Sequence, residues 1–298
     1  MELTFLGTGA GESYPGLWCR CPHCDYARKK GGRNIRANSC AVLDGKVLLD
    51  MGPMCFDTAA RLGIDLTQVT TLLITHPHPD HLYMQHLHWR EVAEEHLGRE
   101  YREQLYLGGP RFTPLPELKV YGNAYTEKTV SPILEEKPSP CLTFHRITEG
   151  EAFETDGYTV MPIRGNHHEP GFAHSYVIQK DGACLLYALD TCMYDPDMMD
   201  LLYGYVFDTV IMEGTTGLNE LAGGHMSLAR NRRFREDLLS HGCLRADSRF
   251  YLTHLSPHWC PPHDFYSVMV EPYGFRVAYD GLTIGIGRGT EQQGKDGL

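Results

Sequence analysis

Short apolar runs alternate with turns along most of the chain, and these runs predict strands. Asp44-Gly45 lies between two of them and predicts a β-hairpin, because this dipeptide suits the tight turn between antiparallel strands. Strands are predicted over residues 2–6, 41–43, 46–50, 68–75, 118–122, 158–163, 175–179, 183–189, 209–212 and 249–252. Helical periodicity predicts helices over residues 56–62, 82–97, 198–202 and 227–239. This order of strands and helices indicates an α/β protein with two sheets packed face to face and helices outside.

The composition fits a single domain over residues 1–298, since 42% of the residues are hydrophobic and can form a large core. The 38 acidic residues exceed the 27 basic ones, and this balance makes nucleic acid an unfavoured partner. No run approaches the ~20 apolar residues of a membrane span, and the N-terminus lacks the pattern of a secretory signal. With ten cysteines, we therefore expect a cytoplasmic protein with reduced or metal-bound thiols and no membrane partner.

Residues 76–81 have the pattern His-x-His-x-Asp-His and directly follow an apolar run. Alternate residues of an extended chain share a face, so His76 and His78 point the same way. The proline after each of them disfavours helix and keeps both histidines extended. Asp80 and His81 follow at the turn towards the next predicted helix. This density of ligand residues predicts the first half of a two-metal site.

Three later strands end in further ligand residues. His167 follows the strand at 158–163, Asp190 follows the strand at 183–189, and His254 follows the strand at 249–252. His168 is the alternative to its neighbour His167. Each residue taken singly could be a surface or capping residue, but together they supply the ligands that the first segment lacks.

The order of these motifs resembles the metallo-β-lactamase superfamily of hydrolases. The motifs are His-x-His-x-Asp-His, Asn-His, Tyr-x-x-Asp-Thr, Gly-His-Met and Thr-His-Leu-Ser, within a span from Phe5 to His254. The resemblance implies a four-layer αββα sandwich with the site along one edge of the sheets. It also favours His167 over His168, because Asn-His is the pattern of the family.

The resemblance further implies seven ligands for two divalent metal ions, zinc or manganese, with iron as a third choice. The ligands are His76, His78 and His167 for one ion, Asp80, His81 and His254 for the other, and Asp190 between the two. Asp50, in a Leu-Leu-Asp-x-Gly turn, is expected to contact a metal ligand without binding a metal ion itself. The alternative is that Asp50 is only a turn residue.

Two metal ions ~3.5–4 Å apart lower the pKa of a shared water and hold the oxygens of a phosphate. The transition state spreads charge over the phosphoryl oxygens, so a nearby hydrogen-bond donor also helps. His225, in the Gly-Gly-His-Met-Ser segment, is the candidate for that donor or for the acid that protonates the leaving group, and Asp80 is counted with it among the catalytic residues. The alternative for His225 is an ordinary loop residue before the next helix.

Cys19, Cys21 and Cys24 form a second cluster, and three thiols in six residues predict a structural zinc. The spacing resembles a narrower branch of the superfamily, the cyclic phosphodiesterase of the carbon–phosphorus lyase pathway. A related cysteine pattern occurs in a protein of the same fold linked to pyrroloquinoline quinone biosynthesis.

A structural zinc has four ligands, so one is still missing. The cyclic phosphodiesterase branch supplies a histidine at the position that Pro257 occupies here. We therefore assign His258, the next residue, as the fourth ligand, with Cys260 and His263 as alternatives.

These motifs predict a dinuclear phosphodiesterase for a small substrate, such as a cyclic ribose phosphate or cyclic nucleotide. The alternatives are a lactonase, a thioesterase, an RNA-processing nuclease, or a non-catalytic metal-binding protein. Acidic residues outnumber basic ones in the segment 91–117, so it is a poor docking arm for nucleic acid. We interpret that segment as an insertion that forms a lid or the contact of a homodimer.

Overall fold

The computed structural model describes residues 1–92, 115–136, 142–287, 289 and 292–294. The strands in this part of the chain are β1 (Glu2–Gly7), β2 (Cys40–Leu43), β3 (Val47–Leu49), β4 (Thr71–Leu73), β5 (Leu118–Gly122), β6 (Leu142–Arg146), β7 (Phe153–Thr155), β8 (Tyr158–Arg164), β9 (His174–Lys180), β10 (Ala183–Ala188), β11 (Phe207–Glu213), β12 (Leu244–Thr253), β13 (Phe275–Val277), β14 (Leu282–Gly285) and β15 (Gln292–Gly294). The helices there are α1 (Pro22–Lys30), α2 (Cys55–Leu62), α3 (Met84–Val92), α4 (Ala124–Glu136), α5 (Pro196–Leu202), α6 (Leu228–Ser240) and α7 (His263–Val270).

The strands form two mixed sheets. The first has the order β15-β14-β1-β2-β3-β4-β5-β6, and the second has the order β13-β12-β11-β10-β9-β8-β7. Strands β3 to β6 pair in parallel with one another, and so do strands β10 to β13. The carboxyl ends of parallel strands meet at one edge of a sheet, where α/β proteins place their ligands. The loops after β4, β10, β11 and β12 therefore start from shared edges.

Three apolar clusters separate the layers. One lies between the sheets and includes Phe5 of β1 and Tyr187 of β10. A second covers the outer face of the first sheet and includes Leu87 of α3. A third covers the outer face of the second sheet and includes Phe234 of α6. The predicted four-layer αββα sandwich is therefore confirmed.

Several elements differ from those predicted. Helix α4 was not predicted, and it contains Pro132, a residue that disfavours helix interiors. Helix α1 was also missed, because it is polar and buries little besides Cys24 and Ala27. Strand β4 is shorter than the predicted run 68–75, since residues 66–68 form a 3₁₀ turn capped by Asp65.

The predicted helix over 82–97 and the predicted insertion at 91–117 fall partly outside the described residues. Helix α3 accounts for residues 84–92, and residues 93–114 are not described. None of the helices in the described ranges combines the length and the apolar composition needed to cross a membrane.

Candidate metal centre

The backbone at the shared edge adopts an uncommon conformation at three candidate residues. Asp50, Asp190 and His254 follow β3, β10 and β12, and their φ angles are 61°, 42° and 54°. These values lie in the left-handed region, which costs residues other than glycine about 1–3 kcal/mol and is found preferentially at functional sites. The sharp turns aim the side chains across the edge of the sheets.

The first group of ligand atoms comes from His76, His78 and His167, whose ligand atoms lie within 4.8 Å of one another. Nε2 of His76 is 2.8 Å from Nδ1 of His78. Nδ1 of His167 contacts the carbonyl of Gly224 at 3.4 Å. Its Nε2 is buried without a hydrogen-bond partner among the described residues. His168 is exposed, so the structure places His167, not its neighbour, in the group.

The second group comes from Asp80, His81, Asp190 and His254, again within 4.8 Å of one another. Oδ2 of Asp190 lies 2.5 Å from Nε2 of His81 and 3.2 Å from Nε2 of His254. The same oxygen lies 3.8 Å from Nε2 of His76, a member of the first group. Asp190 therefore stands between the two groups, as a bridging ligand would.

In two histidines of the second group, Nδ1 contacts a neighbouring side chain that fixes the orientation of the ring. Nδ1 of His81 is 2.7 Å from Oδ2 of Asp50, and Nδ1 of His254 is 2.8 Å from Oγ1 of Thr215. Asp50 is itself held by the backbone N–H of Thr75, which donates to Oδ1 at 2.7 Å. Metal-binding histidines usually donate one ring N–H to such a partner, which leaves the other nitrogen as the ligand.

The donor set fits divalent metal ions. Nε2 of His81 and Nε2 of His254 face each other at 3.1 Å. Oδ2 of Asp190, between them, has no partner in hydrogen-bond geometry among the described residues. Buried polar atoms that converge without satisfying each other are rare in native proteins. Imidazole and carboxylate groups together suit zinc, manganese or iron.

The pKa shifts follow from burial and from the crowding of charge. Burial, together with the charge of His81, lowers the pKa of His76 well below its ordinary value. Burial also lowers the pKa of His81, but the carboxylates of Asp190, Asp80 and Asp50 outweigh it and raise that pKa well above the ordinary value. Burial raises the pKa of Asp190, yet the histidines His254 and His81 outweigh it and lower that pKa. The centre thus concentrates negative charge that favours a bound cation.

Glu213, which the sequence analysis missed, completes the site. It ends β11, is fully buried, and accepts hydrogen bonds from the backbone N–H groups of Thr191 and Thr215, each at 3.0 Å. It also lies 2.8 Å from Nδ1 of His225. A carboxylate at the end of an apolar strand was a signal that could have found it, since the same signal pointed to Asp190.

His225 lies beside the metal ligands, in the loop before α6. Its Nδ1 is 3.3 Å from Oδ1 of Asp190, and its ring centroid is 4.9 Å from that of His167. Burial lowers the pKa of His225, but the charge of Glu213 and its hydrogen bond outweigh burial and raise that pKa to about 9. The Glu213 carboxylate therefore favours the protonated form of this imidazole.

The cysteine cluster forms away from this centre, at the start of α1. The sulfur atoms of Cys19, Cys21 and Cys24 lie within 4.8 Å of one another. Backbone N–H groups donate to the sulfurs: that of Gly16 to Cys24 at 3.3 Å, and that of Cys21 to Cys19 at 3.5 Å. The hydrogen bonds from Cys21 lower the pKa of the Cys19 thiol, whereas burial raises that of Cys24 to about 12.

The fourth ligand predicted for this cluster is not brought to the sulfurs. The side chain of His258 is half exposed, and its Nε2 lies 3.5 Å from Oε1 of Glu12. The two alternatives are engaged elsewhere: Sγ of Cys260 donates to the carbonyl of Gly214 at 3.2 Å, and His263 contacts Arg36 at 3.1 Å. At this position the backbone approaches the cluster instead, since the carbonyl oxygen of Pro257 lies 4.0 Å from Sγ of Cys21. Within the described ranges, only three residues make up the cluster.

The sandwich and the histidine–aspartate groups at its edge define a hydrolase with the metallo-β-lactamase fold. The chain belongs to the β-lactamase superfamily, since residues 45–255 match the β-lactamase superfamily domain. It is similar to ribonuclease Z of Mycobacterium bovis (strain BCG / Pasteur 1173P2), with 24% identity over 204 residues. That alignment covers 65% of this chain and 64% of the relative, so it spans less than two thirds of the relative's length.

Two solved structures share the fold over nearly the whole chain. A diphosphatase from the PhnP family has a TM-score of 0.70 and 23% identity, covering 95% of both chains. Zinc-bound PqqB from Methylobacterium extorquens has a TM-score of 0.69 and 18% identity, covering 96% of this chain and all of that one (100%). At these identities, the similarity shows the fold.

Proposed function

We propose that this protein is a dinuclear metal-dependent phosphodiesterase for a small substrate. The observation that carries the proposal is the position of Asp190, whose Oδ2 lies 2.5 Å from His81 and 3.8 Å from His76. One carboxylate between two ligand groups supports two ions, not one. The names of two similar proteins, a ribonuclease and a diphosphatase, denote enzymes that act at phosphate groups and support the class of substrate.

Two divalent ions, zinc or manganese with iron as the third choice, would supply an activated water and Lewis-acid stabilisation of the phosphate. His76, His78 and His167 would hold one ion, while Asp80, His81 and His254 would hold the other. Asp50 and Thr215 keep two of these imidazoles oriented through Nδ1.

His225 would donate the proton that the leaving oxygen needs. Glu213 accepts from its Nδ1 at 2.8 Å and keeps the ring charged and oriented. Glu213 is in turn fixed by two backbone N–H groups, so the pair does not need to reorganise during the reaction. In this role His225 acts on the substrate, and Glu213 is a positioning residue.

A ribonuclease is the second candidate, because the match to ribonuclease Z covers 204 residues. The excess of 38 acidic over 27 basic residues weakens it, since long nucleic acids are held mainly through phosphate contacts to basic side chains. We therefore favour a small, cyclic ribose or nucleotide phosphodiester.

The substrate class can be tested with a matched panel. We expect the metal-loaded protein to hydrolyse bis(p-nitrophenyl) phosphate and 2′,3′-cyclic nucleotides with kcat/KM at least about tenfold above its values for a lactone, a thioester and a precursor transfer RNA. Chelated protein serves as the control for metal dependence. Faster turnover of precursor transfer RNA would favour the ribonuclease, and faster turnover of a lactone or thioester would exclude the phosphodiesterase.

We also propose that the three cysteines supply three of the four ligands of one structural zinc. Zinc stabilises small loop-rich segments through its ligands, and the backbone N–H groups that point at the sulfurs support thiolates. We expect Cys21→Ser to bind about one zinc ion per chain fewer than wild type and to unfold at lower urea concentration. The measurements are elemental analysis and urea denaturation.

His258→Ala is the matched control for this prediction. Its imidazole lies towards Glu12, outside the sulfur cluster, so its zinc content is expected to equal that of wild type. Unchanged zinc in Cys21→Ser would contradict the structural zinc, and lost zinc in His258→Ala would restore this histidine as a ligand.

A further inference from the structure

A cavity of about 730 Å³ lies on the outer face of the first sheet, and none of the proposed metal ligands is among the residues that line it. Apolar side chains from the sheet and from α3 form most of its wall, including Leu48, Leu72 and Leu87. Phe56 and Trp89 also line it, and they are 63% and 58% exposed, so the cavity opens to the surface beside them. Its volume lies within the roughly 300–1,000 Å³ of small-molecule sites.

Two reactive side chains share this apolar wall. Cys55 is the first residue of α2 and is only 2% exposed at the protein surface, yet it lines the cavity together with His86 of α3. Nε2 of His86 lies 3.2 Å from the carbonyl of Pro53, and its ring packs at 6.2 Å from Phe56. The imidazole is therefore held at the start of α2, next to the thiol.

The electrostatics favour a thiolate at Cys55. A hydrogen bond from the Cys40 thiol is the largest effect; burial opposes it, and His86 adds to it, so that the pKa of Cys55 falls to about 6. The same contact with Cys55 raises the pKa of His86. Both shifts favour a thiolate beside an imidazolium, the arrangement that makes a cysteine nucleophilic.

We propose that Cys55 and His86 form a thiol-modification site for apolar α,β-unsaturated carbonyl compounds that enter through the cavity. The Sγ atom forms a bond to the β-carbon of the ligand, and the electron pair of the carbon–carbon double bond moves to the α-carbon. His86 gives its proton to that α-carbon. The net step adds the original S–H across the double bond, with no leaving group and no oxidant.

The apolar wall sets the ligand class. A ligand with an aromatic or alkyl group buries that group against leucine side chains and gains hydrophobic stabilisation, whereas a charged ligand loses its hydration. The site is separate from the metal centre, so the proposal does not depend on the hydrolase function.

The protein contains its own reference thiols. Cys184 and Cys243 are buried in the apolar cluster on the outer face of the second sheet. Burial raises the pKa of both, to about 12 for Cys184. They match Cys55 in burial, and neither of them lines the cavity described above.

The test uses the metal-loaded wild-type protein and two maleimides with the same reactive group. N-phenylmaleimide is apolar, and N-(2-carboxyethyl)maleimide is charged. Peptide mass spectrometry follows alkylation at each cysteine over time, and N-acetylcysteine corrects for the intrinsic reactivity of each probe. We expect Cys55 to react with N-phenylmaleimide at least about tenfold faster than Cys184 and Cys243. We also expect a corrected preference of roughly tenfold for the apolar probe at Cys55.

Variants separate the two residues. His86→Gln is expected to slow alkylation of Cys55 by about tenfold, and Cys55→Ser to remove the fast event without slowing alkylation elsewhere. If Cys55 in folded wild type reacts no faster than the two reference thiols, or if the charged probe reacts as fast as the apolar one, the proposal is wrong. Because this comparison needs no variant, it stands even where a substitution impairs folding.

Discussion

Asp190→Ala is expected to lower kcat/KM for bis(p-nitrophenyl) phosphate by roughly 10³-fold or more. Oδ2 of Asp190 approaches both ligand groups, so its loss weakens the hold on both proposed ions. Metal ions contribute several kcal/mol to stabilising a transition state, and about 1.4 kcal/mol corresponds to a factor of ten in rate. Steady-state kinetics and elemental analysis of the same preparation measure the two effects together, and both activity and bound metal should fall.

Asp197→Ala is the matched control for this result. Asp197 lies in the first turn of α5 and pairs with Arg164 at the surface, away from the ligand groups. Its loss is expected to change kcat/KM by less than about twofold, since exposed ion pairs contribute little. A folded Asp190→Ala protein that retains wild-type metal content and activity would contradict the assignment of a dinuclear site.

His225→Ala is expected to lower kcat by about 10²- to 10⁴-fold on substrates with an alkoxide leaving group, because general acid catalysis contributes an effect of this size. The loss should be much smaller with bis(p-nitrophenyl) phosphate, since p-nitrophenolate leaves without a proton. Metal content is expected to stay at the wild-type level. The ratio of the two kcat losses therefore reports proton donation apart from metal binding.

Glu213→Gln tests whether Glu213 positions the imidazole of His225. Loss of a residue that supports a functional imidazole typically costs about 10- to 100-fold. We expect a loss in this range, with the same dependence on leaving group as His225→Ala. His241→Ala, at the exposed end of α6, should leave both substrates unaffected. Equal losses on both substrates in His225→Ala would show that His225 acts on metal binding or structure and not as an acid.

Local patterns predicted much of the fold. The Asp44-Gly45 hairpin forms, with φ of 49° and 67° at the two residues, because a tight turn requires these backbone angles whatever surrounds it. The buried strands β8 to β11 lie close to their predicted ranges, because a short continuous apolar run between turns is typical of a fully buried strand. Helix α4 and the three-residue strands β7 and β13 escaped prediction, because a proline or a short length hides their periodicity.

The candidate metal ligands could be predicted from their residue types and spacing, because the ability of an imidazole or a carboxylate to bind metal is a property of the single side chain. Only the tertiary structure decided which of them meet. It excluded His258 from the sulfur cluster, joined Glu213 to His225, and placed Cys55 and His86 on one cavity wall. These contacts depend on the order and direction of strands and on how helices pack over them, and local periodicity does not encode such long-range geometry.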